Sequence, residues 1–258
     1  LHGGSKIKIK DIDVGMVLQN NNTVTAKMKL ANIDETVYCL NGIYCTGEHM
    51  LKYNNSWIKT KDHPHSIKTE LYNDYLYCIN TSKKVIHINN EVFGDWDELD
   101  NTQIDELKQR CNKYLPKQFE LHDIHKYLDG GFVETTKIEL QDGHNVNICD
   151  IEVNDVLRFG ERVTGIVKIK ADDLETKQFI LGKQNIVNGG PNLQVCDTDL
   201  GMRSTLDMYG EKVKCDYVYH IITKKGTFHV NGIKFYDYNS CIDKYLELEN
   251  NKLLNVLI

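Results

Sequence analysis

Apolar and polar residues alternate with a period of two along many short runs of the chain. Clear examples are the runs 6–10, 85–88 and 227–230. Successive side chains of a strand point to opposite faces, so this alternation is typical of half-buried β-strands. Turn-forming residues separate the runs, and Asn231-Gly232 is a strong two-residue hairpin signal because both positions tolerate positive φ. The pattern predicts an all-β fold for most of the chain.

The period changes between residues 100 and 115. Apolar residues there recur at spacings of three and four, which fits an amphipathic helix that ends before Pro116. A second short helix is predicted over 122–128, and similar spacing over 243–258 predicts a helical C-terminal tail. The apolar positions of the first helix are Ile104, Leu107, Cys111, Tyr114 and Leu115.

The chain also repeats much of its own sequence. Residues 9–30 match residues 148–169 without a gap, at an offset of 139. Residues 77–97 match residues 219–239 at an offset of 142. Two matched blocks in the same order indicate a duplicated domain rather than a short solenoid repeat.

The duplication predicts two tandem domains in a chain of 258 residues, a length that suits two domains of roughly 100 residues each. The first is expected over 1–98, where its start is truncated, and the second over 131–239. Residues 99–130 are predicted to form the helical linker, and 240–258 the helical tail.

Composition narrows the classes of function. The net charge is −6 and the basic residues are scattered, so nucleic acid is not an expected partner. No apolar run approaches the length of a membrane span, and no secretory leader is visible. Eight cysteines without a CxxC pair argue against a zinc site and favour free thiols in a reducing compartment. We therefore expect a cytoplasmic protein that contacts no membrane.

Candidate chemistry lies in the segment Thr46-Gly47-Glu48-His49, which follows a predicted strand. A threonine and a histidine three residues apart on a turn can point at one peptide bond. The imidazole can then protonate the amide nitrogen while the hydroxyl orients the same amide. Cys45, next to Thr46, aligns with Val187 of the second copy and is interpreted as an inert core thiol.

These motifs resemble the Hint family, the hedgehog and intein autoprocessing domains. The resemblance is carried by the stretch 9–18, by the TxxH segment 46–49 and by the closing hairpin 88–98. It covers almost all of residues 1–98 and, again, 131–239. The chain is also similar to the Hint units of Vint-like proteins, in which such units are joined to a von Willebrand factor A domain.

The resemblance implies a mechanism without a cofactor or metal. A cysteine that opens the domain attacks the carbonyl that precedes it, and this N–S acyl shift converts the peptide into a thioester. Thr46 and His49 match the residues that activate the scissile amide. The substrate is then the protein's own upstream polypeptide. The implied mechanism is also compatible with other protein partners.

The first copy departs from the family pattern at both ends. Leu1 aligns near the end of the first family strand, so the opening cysteine is expected about ten residues further upstream. Asp97 and Glu98 stand where an intein has its terminal asparagine and the following nucleophile. Self-cleavage at the upstream bond is therefore expected rather than splicing.

The second copy has lost the implied chemistry. Gly131 occupies the position of the nucleophile, and residues 188–191 read Asn-Gly-Gly-Pro in place of TxxH. Asn239 followed by Ser240 is similar to an intein junction, although Tyr238 replaces the usual histidine before it. Asn239 is a weak catalytic candidate, since a turn-forming Asn-Ser pair is the simpler interpretation. We interpret this copy as a degenerate structural domain.

Two other classes of function stay open. The chain can be a non-catalytic interaction scaffold that has lost autoprocessing. It can also be a metal-binding β protein, with His63 and His65 near Cys78 or His87, although an exposed polar turn is the preferred interpretation of residues 62–65. A serine hydrolase has no support because no GxSxG turn is present.

Overall fold

The computed structural model describes residues 1–98, 102, 105–106, 108–109, 112, 125–126, 129–182, 185–197, 200–205 and 208–241. The chain divides into two compact units, residues 1–101 and residues 102–258. Strands make up most of the regular structure in the described residues, which confirms the predicted all-β class. Among these residues, no helix is both long and apolar enough to cross a membrane.

The first unit is built from short antiparallel strands joined by tight turns. Three-residue 3₁₀ turns at Ile9–Asp11, Gln19–Asn21 and Thr60–Asp62 interrupt them. The strands are β1 (Val17–Leu18), β2 (Asn22–Ala31), β3 (Val37–Leu40), β4 (Ile43–Thr46), β5 (Met50–Tyr53), β6 (Ser56–Lys59), β7 (Ile67–Lys68), β8 (Tyr75–Thr81), β9 (Val85–Ile88) and β10 (Glu91–Gly94).

Three sets of strand pairs organise this unit. The long strand β2 pairs with β1 and β8. Strands β6, β5, β10 and β9 pair in that order, and β3 pairs with both β4 and β7. The alternation along β2 buries Val24, Ala26 and Met28, and β5 and β10 bury Leu51 and Phe93. The core of the unit therefore comes from the period-two pattern that the sequence displays.

The second unit is also antiparallel. Its strands are β11 (Phe132–Val133), β12 (Lys137–Glu139), β13 (Asn145–Asn147), β14 (Val163–Lys170), β15 (Lys177–Leu181), β16 (Asn185–Gly189), β17 (Gln194–Asp197), β18 (Gly201–Ser204), β19 (Glu211–Lys212), β20 (Tyr217–Thr223), β21 (Thr227–Val230) and β22 (Ile233–Tyr236). A 3₁₀ turn spans Ile148–Asp150.

Strands β14, β20, β11, β16, β15 and β19 of this unit pair in that order, and β18, β17, β22 and β21 form a second group. β12 pairs with β13. The core is aromatic: the Phe132 ring packs edge-on against Phe228 and Phe235, at centroid distances of 5.7 and 5.1 Å. The hairpin turn at Asn231-Gly232 has φ values of 50° and 79°, which confirms that prediction.

The pairing of β2 with β8 has a close counterpart in the pairing of β14 with β20. A register shift lies between Val24 and Ala26 in the first pair, and between Val163 and Gly165 in the second. Both shifts occupy the same place in the aligned sequences. Lysines at aligned positions, Lys29 and Lys168, also lie over the rings of aligned tyrosines, 4.2 and 4.0 Å from Tyr75 and Tyr217.

A buried aspartate closes the last hairpin of each unit in the same way. Asp95 accepts the Thr81 N–H at 2.9 Å, and Asp237 accepts the Thr223 N–H at 2.9 Å. Both aspartates are buried. The aligned blocks therefore share hydrogen bonds as well as sequence.

Some positions of the predicted linker and tail helices lie among the described residues. Positions 102, 105–106, 108–109 and 112 of the linker are helical, and 125–126 lie in a wider helical turn. The apolar positions predicted for the first helix (Ile104, Leu107, Cys111, Tyr114 and Leu115) and the tail over 243–258 lie outside the described residues. Positions 238–241 are helical.

Candidate active site

Thr46 and His49 lie on one tight turn between β4 and β5. Thr46 is the last residue of β4 and pairs with Val37 across the β3–β4 hairpin. The His49 N–H donates to the Thr46 carbonyl at 3.3 Å and closes the turn. Gly47 lies between them, and a Cβ there would stand 2.7 Å from the Tyr38 ring and displace it. The two predicted residues are thus held on one turn, although their side chains are not linked to each other.

Thr60 fixes the backbone at His49. Its N–H and its hydroxyl both donate to the His49 carbonyl, at 2.9 and 2.8 Å. The Cys45 thiol donates in turn to the Thr60 hydroxyl at 3.5 Å. Burial raises the pKa of the Cys45 thiol, so it stays protonated and non-nucleophilic. This supports the interpretation of Cys45 as a core thiol. No local sequence signal marks Thr60.

The imidazole of His49 is held by two residues from the far end of the unit. Its ring stacks on Phe93, with 5.8 Å between ring centroids and 18° between planes. Its Nδ1 lies 2.8 Å from Oε1 of Glu98, and that oxygen also accepts the Met50 N–H at 2.9 Å. The His49 side chain is 17% exposed, so the ring is mostly covered yet reachable from solvent.

Glu98 reaches the imidazole because a buried network shapes the turn after β10. The Glu98 N–H donates to the Asp95 carbonyl at 3.3 Å, and Glu98 adopts the left-handed region at φ 46°. Lys84, itself buried, lies 3.5 Å from the Asp95 carboxylate and contacts the Asp97 carboxylate closely. Asn80 donates to Asp97 at 2.9 Å. The acidic residues that follow β10 therefore anchor the end of the first unit.

Glu48, the remaining charged residue of the turn, faces solvent. Hydrogen bonds from Lys59 and Lys61 lower the pKa of its carboxyl to about 2. Its carboxylate is therefore committed to these exposed lysines rather than to His49.

In the second unit, the segment aligned with TxxH packs directly on the leading segment, residues 129–131. The Gly190 N–H donates to the Gly131 carbonyl at 2.8 Å, and Phe132 pairs with Gly189. A Cβ on Gly189 would lie 2.2 Å from the Gly131 oxygen. Gly189, which aligns with Gly47, thus leaves no room for a side chain, and Asn188 and Pro191 stand at the positions aligned with Thr46 and His49. The position aligned with the nucleophile is next to the segment aligned with TxxH in this unit.

Asn239 lies in a helical turn rather than in a hairpin end. Asp237 accepts both the N–H and the hydroxyl of Ser240, at 3.1 and 2.9 Å, and so acts as a helix N-cap. Tyr238 is buried, and its hydroxyl donates to Asp129 at 3.3 Å. A catalytic role of Asn239 stays a prediction.

The histidines considered for a metal site have structural partners. His63 is buried rather than exposed, which corrects the expectation of an exposed polar turn; His65 is exposed. His63 packs edge-on against Tyr53 at 4.5 Å, and its Nδ1 accepts the His65 N–H at 3.2 Å. In the part of the chain that the structure describes, no group of three or more His, Cys, Asp or Glu residues could hold a metal ion.

Comparison with known proteins gave limited similarity. No protein-family model matches the chain, and no curated protein matches it. Among solved structures, the crystal structure of the gp41-1 intein is similar, with a TM-score of 0.34 and 14% identity over 42% of this chain and 99% of that chain. A triply substituted variant of the same intein is similar with a TM-score of 0.30 and 14% identity, over 42% of this chain and 100% of that chain. Because these similarities are weak, the functional interpretation rests on the residues and contacts of this chain.

Proposed function

We propose that the first unit is a Hint-like autoprocessing domain that cleaves the peptide bond at its own amino-terminal side. The observation that carries the proposal is the turn that holds Thr46 and His49 together, with the His49 ring oriented by Phe93 and Glu98. An oriented imidazole and a threonine hydroxyl on the same turn are groups that can activate one amide.

In the proposed reaction the thiol of an opening cysteine, located upstream of Leu1, attacks the carbonyl carbon of the residue before it. The S–C bond forms and the C–N bond breaks, and His49 accepts the proton of the thiol and delivers it to the leaving amide nitrogen. Thr46 orients the amide through its hydroxyl. Water or a small nucleophile then hydrolyses or displaces the thioester, which releases the upstream polypeptide.

The second unit supports the placement of this chemistry. We interpret it as a duplicate of the first unit, because aligned positions share the strand register shift, the lysine–tyrosine contact and the aspartate-closed hairpin. Its leading segment lies against residues 188–191. By equivalence, the chain that leads into the first unit would pass the Thr46–His49 turn. The second unit itself is proposed to be a degenerate structural copy.

The test uses a chain extended with the protein's own residues upstream of Leu1. On addition of dithiothreitol we expect release of the upstream fragment, which mass spectrometry detects. His49→Ala should slow the release by about 10²- to 10⁴-fold, the usual contribution of general acid–base catalysis. Thr46→Ala should slow it as well.

The matched control is His65→Ala, which removes an exposed histidine of the same unit and should leave the rate unchanged. Release at an unchanged rate in His49→Ala would remove His49 from the mechanism. An extended wild-type chain that is stable to thiols would refute autoprocessing altogether.

A second candidate function is a non-catalytic interaction scaffold. It is favoured by the second unit, which has the matching strand pair β14–β20 but carries Asn188 and Pro191 at the positions aligned with Thr46 and His49. This alternative predicts no cleavage by the extended chain and no effect of Thr46→Ala or His49→Ala on binding of a protein partner.

A further inference from the structure

We propose that Glu98 is a positioning residue that holds the proton of His49 on Nδ1 and leaves Nε2 as the atom that meets the substrate amide. The inference rests on the proposed function, since it assigns atoms within that site. Its first basis is the 2.8 Å contact between Nδ1 of His49 and Oε1 of Glu98.

The chemistry of the contact determines where the imidazole proton lies. An ionised carboxylate only accepts hydrogen bonds, so Nδ1 must be the donor. The Met50 N–H donates to the same Glu98 oxygen at 2.9 Å, so this oxygen acts as an acceptor and is fixed in place. In the neutral ring, Nε2 is therefore the unprotonated nitrogen.

The orientation of the ring is constrained from three directions. Thr60 holds the His49 carbonyl, Phe93 stacks on the ring face and Glu98 binds one edge. A flip of the ring by half a turn would break the hydrogen bond to Glu98 and carry Nδ1 to the opposite edge. Nε2 thus faces away from Glu98, and the inference assigns it to the substrate amide.

Glu98 is placed for this role by residues that have no direct contact with the ring. The buried pair Lys84 and Asp95 anchors the turn, and the backbone of Glu98 takes a left-handed conformation that brings its side chain back towards β5. A left-handed conformation at a residue other than glycine is uncommon and has to be held by its surroundings.

The second unit gives an internal comparison. At the positions aligned with His49 and Glu98 it has Pro191 and Ser240, and Ser240 bonds to Asp237 instead. The anchor aspartate is present in both units. The imidazole and the carboxylate are thus absent together, while the aspartate-closed hairpin that precedes the Glu98 position is kept. This is expected if the carboxylate serves the imidazole rather than the fold.

In the reaction, Nε2 takes the proton of the attacking thiol and returns it to the amide nitrogen as the C–N bond breaks. Between these two transfers the ring is a cation, and the adjacent Glu98 carboxylate stabilises that charge. After the second transfer the neutral ring retains its proton on Nδ1, bound to Glu98. No other proton donor is needed.

The first experiment measures the tautomer of His49 directly, by NMR of ¹⁵N-labelled imidazoles in the chain as it stands. In the wild type, neutral His49 should carry its proton on Nδ1. Glu98→Ala should lose this preference. Glu98→Gln should keep it, because the amide oxygen still accepts. Glu48→Ala is the matched control: it removes an exposed carboxylate from the same turn and should change nothing.

The second experiment measures thiol-induced release in the extended chain. Glu98→Ala should slow release by about 100-fold, the loss expected when a catalytic group is displaced by roughly 1 Å. Glu98→Gln should also be slower than wild type, because it keeps the orientation and loses the charge. Glu48→Ala should release at the wild-type rate.

The two experiments separate the failure of this inference from the failure of the proposed function. An Nδ1–H tautomer that persists in Glu98→Ala overturns the positioning role, and so does release by Glu98→Ala at the wild-type rate. If the tautomer depends on Glu98 while no extended chain releases a fragment, the positioning role stands and the autoprocessing proposal falls.

Discussion

At the scale of single residues, the site is defined by side chains that converge on His49 from distant parts of the sequence. Thr60 lies 11 positions after His49, Phe93 lies 44 after it and Glu98 lies 49 after it. Each contacts a different part of the residue: the carbonyl, the ring face and Nδ1. The imidazole is consequently held in one orientation, as the proposed proton transfer requires.

Replacement of Thr60 by valine tests the backbone support of His49. Thr60→Val keeps the shape of the side chain but deletes the hydroxyl that donates to the His49 carbonyl and accepts from Cys45. We expect a loss of about 1 kcal/mol in the free energy of unfolding, the typical net value of one such hydrogen bond. Urea denaturation measures it.

Thr135→Val is the control for this substitution, because Thr135 is exposed on a turn. Its effect should stay within about 0.5 kcal/mol, as for most surface changes. Equal stabilities of the two variants would contradict the role assigned to the Thr60 hydroxyl.

At the scale of secondary-structure elements, glycines decide how closely two segments of the second unit can pack. β16 ends at Gly189, and β11 begins one residue after Gly131. Gly131 has a φ of 118°, a conformation that L side chains rarely adopt. The backbones approach so closely that no side chain fits at position 189, which aligns with Gly47 of the first unit.

A single methyl group at this crossing should be poorly tolerated. Gly189→Ala would place a Cβ 2.2 Å from the Gly131 oxygen, so one of the two backbones must move. We expect a loss of about 1–3 kcal/mol or more in the free energy of unfolding of the second unit, as for overpacked cores.

The comparison variant is Gly143→Asn. Gly143 has a φ of 88°, a Cβ at this position would meet no atom within 4 Å, and asparagine tolerates that backbone region. In Gly143→Asn, the free energy of unfolding of the second unit should be close to the wild-type value. NMR signals of the buried residues of this unit follow its unfolding. A Gly189→Ala variant equally close to wild type would refute the tight crossing.

At the scale of the whole molecule, two units with similar hairpins carry different ionisable groups in their cores. Burial raises the pKa of Asp95 in the first unit to about 6, against the opposing effect of Lys84. Burial lowers the pKa of His220 in the second unit to about 4. His220 aligns with Cys78 of the first unit, so the difference is one of core composition rather than of topology.

These opposite shifts predict opposite responses to pH. Between the ordinary Asp value of 3.8 and about 6, folded Asp95 binds more protons than the unfolded chain, so its contribution to stability is greatest at low pH and falls as pH rises through this window. Between about 4 and the ordinary His value of 6.5, the unfolded chain binds more protons than folded His220, so stability of the second unit falls as pH falls. Each effect is of the order of 1–3 kcal/mol.

Urea unfolding at pH 4 and pH 6, followed by resonances specific to each unit, measures both responses. From pH 4 to pH 6, the free energy of unfolding of the first unit should rise more, or fall less, in Asp95→Asn than in the wild type. Over the same range, the rise in the free energy of unfolding of the second unit should be smaller in His220→Gln than in the wild type. Unchanged pH responses in both variants would show that other groups govern the acid behaviour.

The sequence by itself determined the elements and the local turns. Period-two alternation placed strands such as β9 and β21, Asn231-Gly232 marked a hairpin, and the TxxH segment marked one turn that carries Thr46 and His49. The alternating run 6–10 was wrongly predicted as a strand: its end forms the 3₁₀ turn Ile9–Asp11, and a two-residue period alone does not supply a pairing partner. These features depend on neighbours a few residues apart, so local patterns report them. Only the tertiary structure decided that Thr60, Phe93 and Glu98 meet the histidine and that His63 is buried. Such contacts join segments far apart in the chain, and they depend on strand pairing such as Phe93 with Leu51, which the local alternation of residues does not specify.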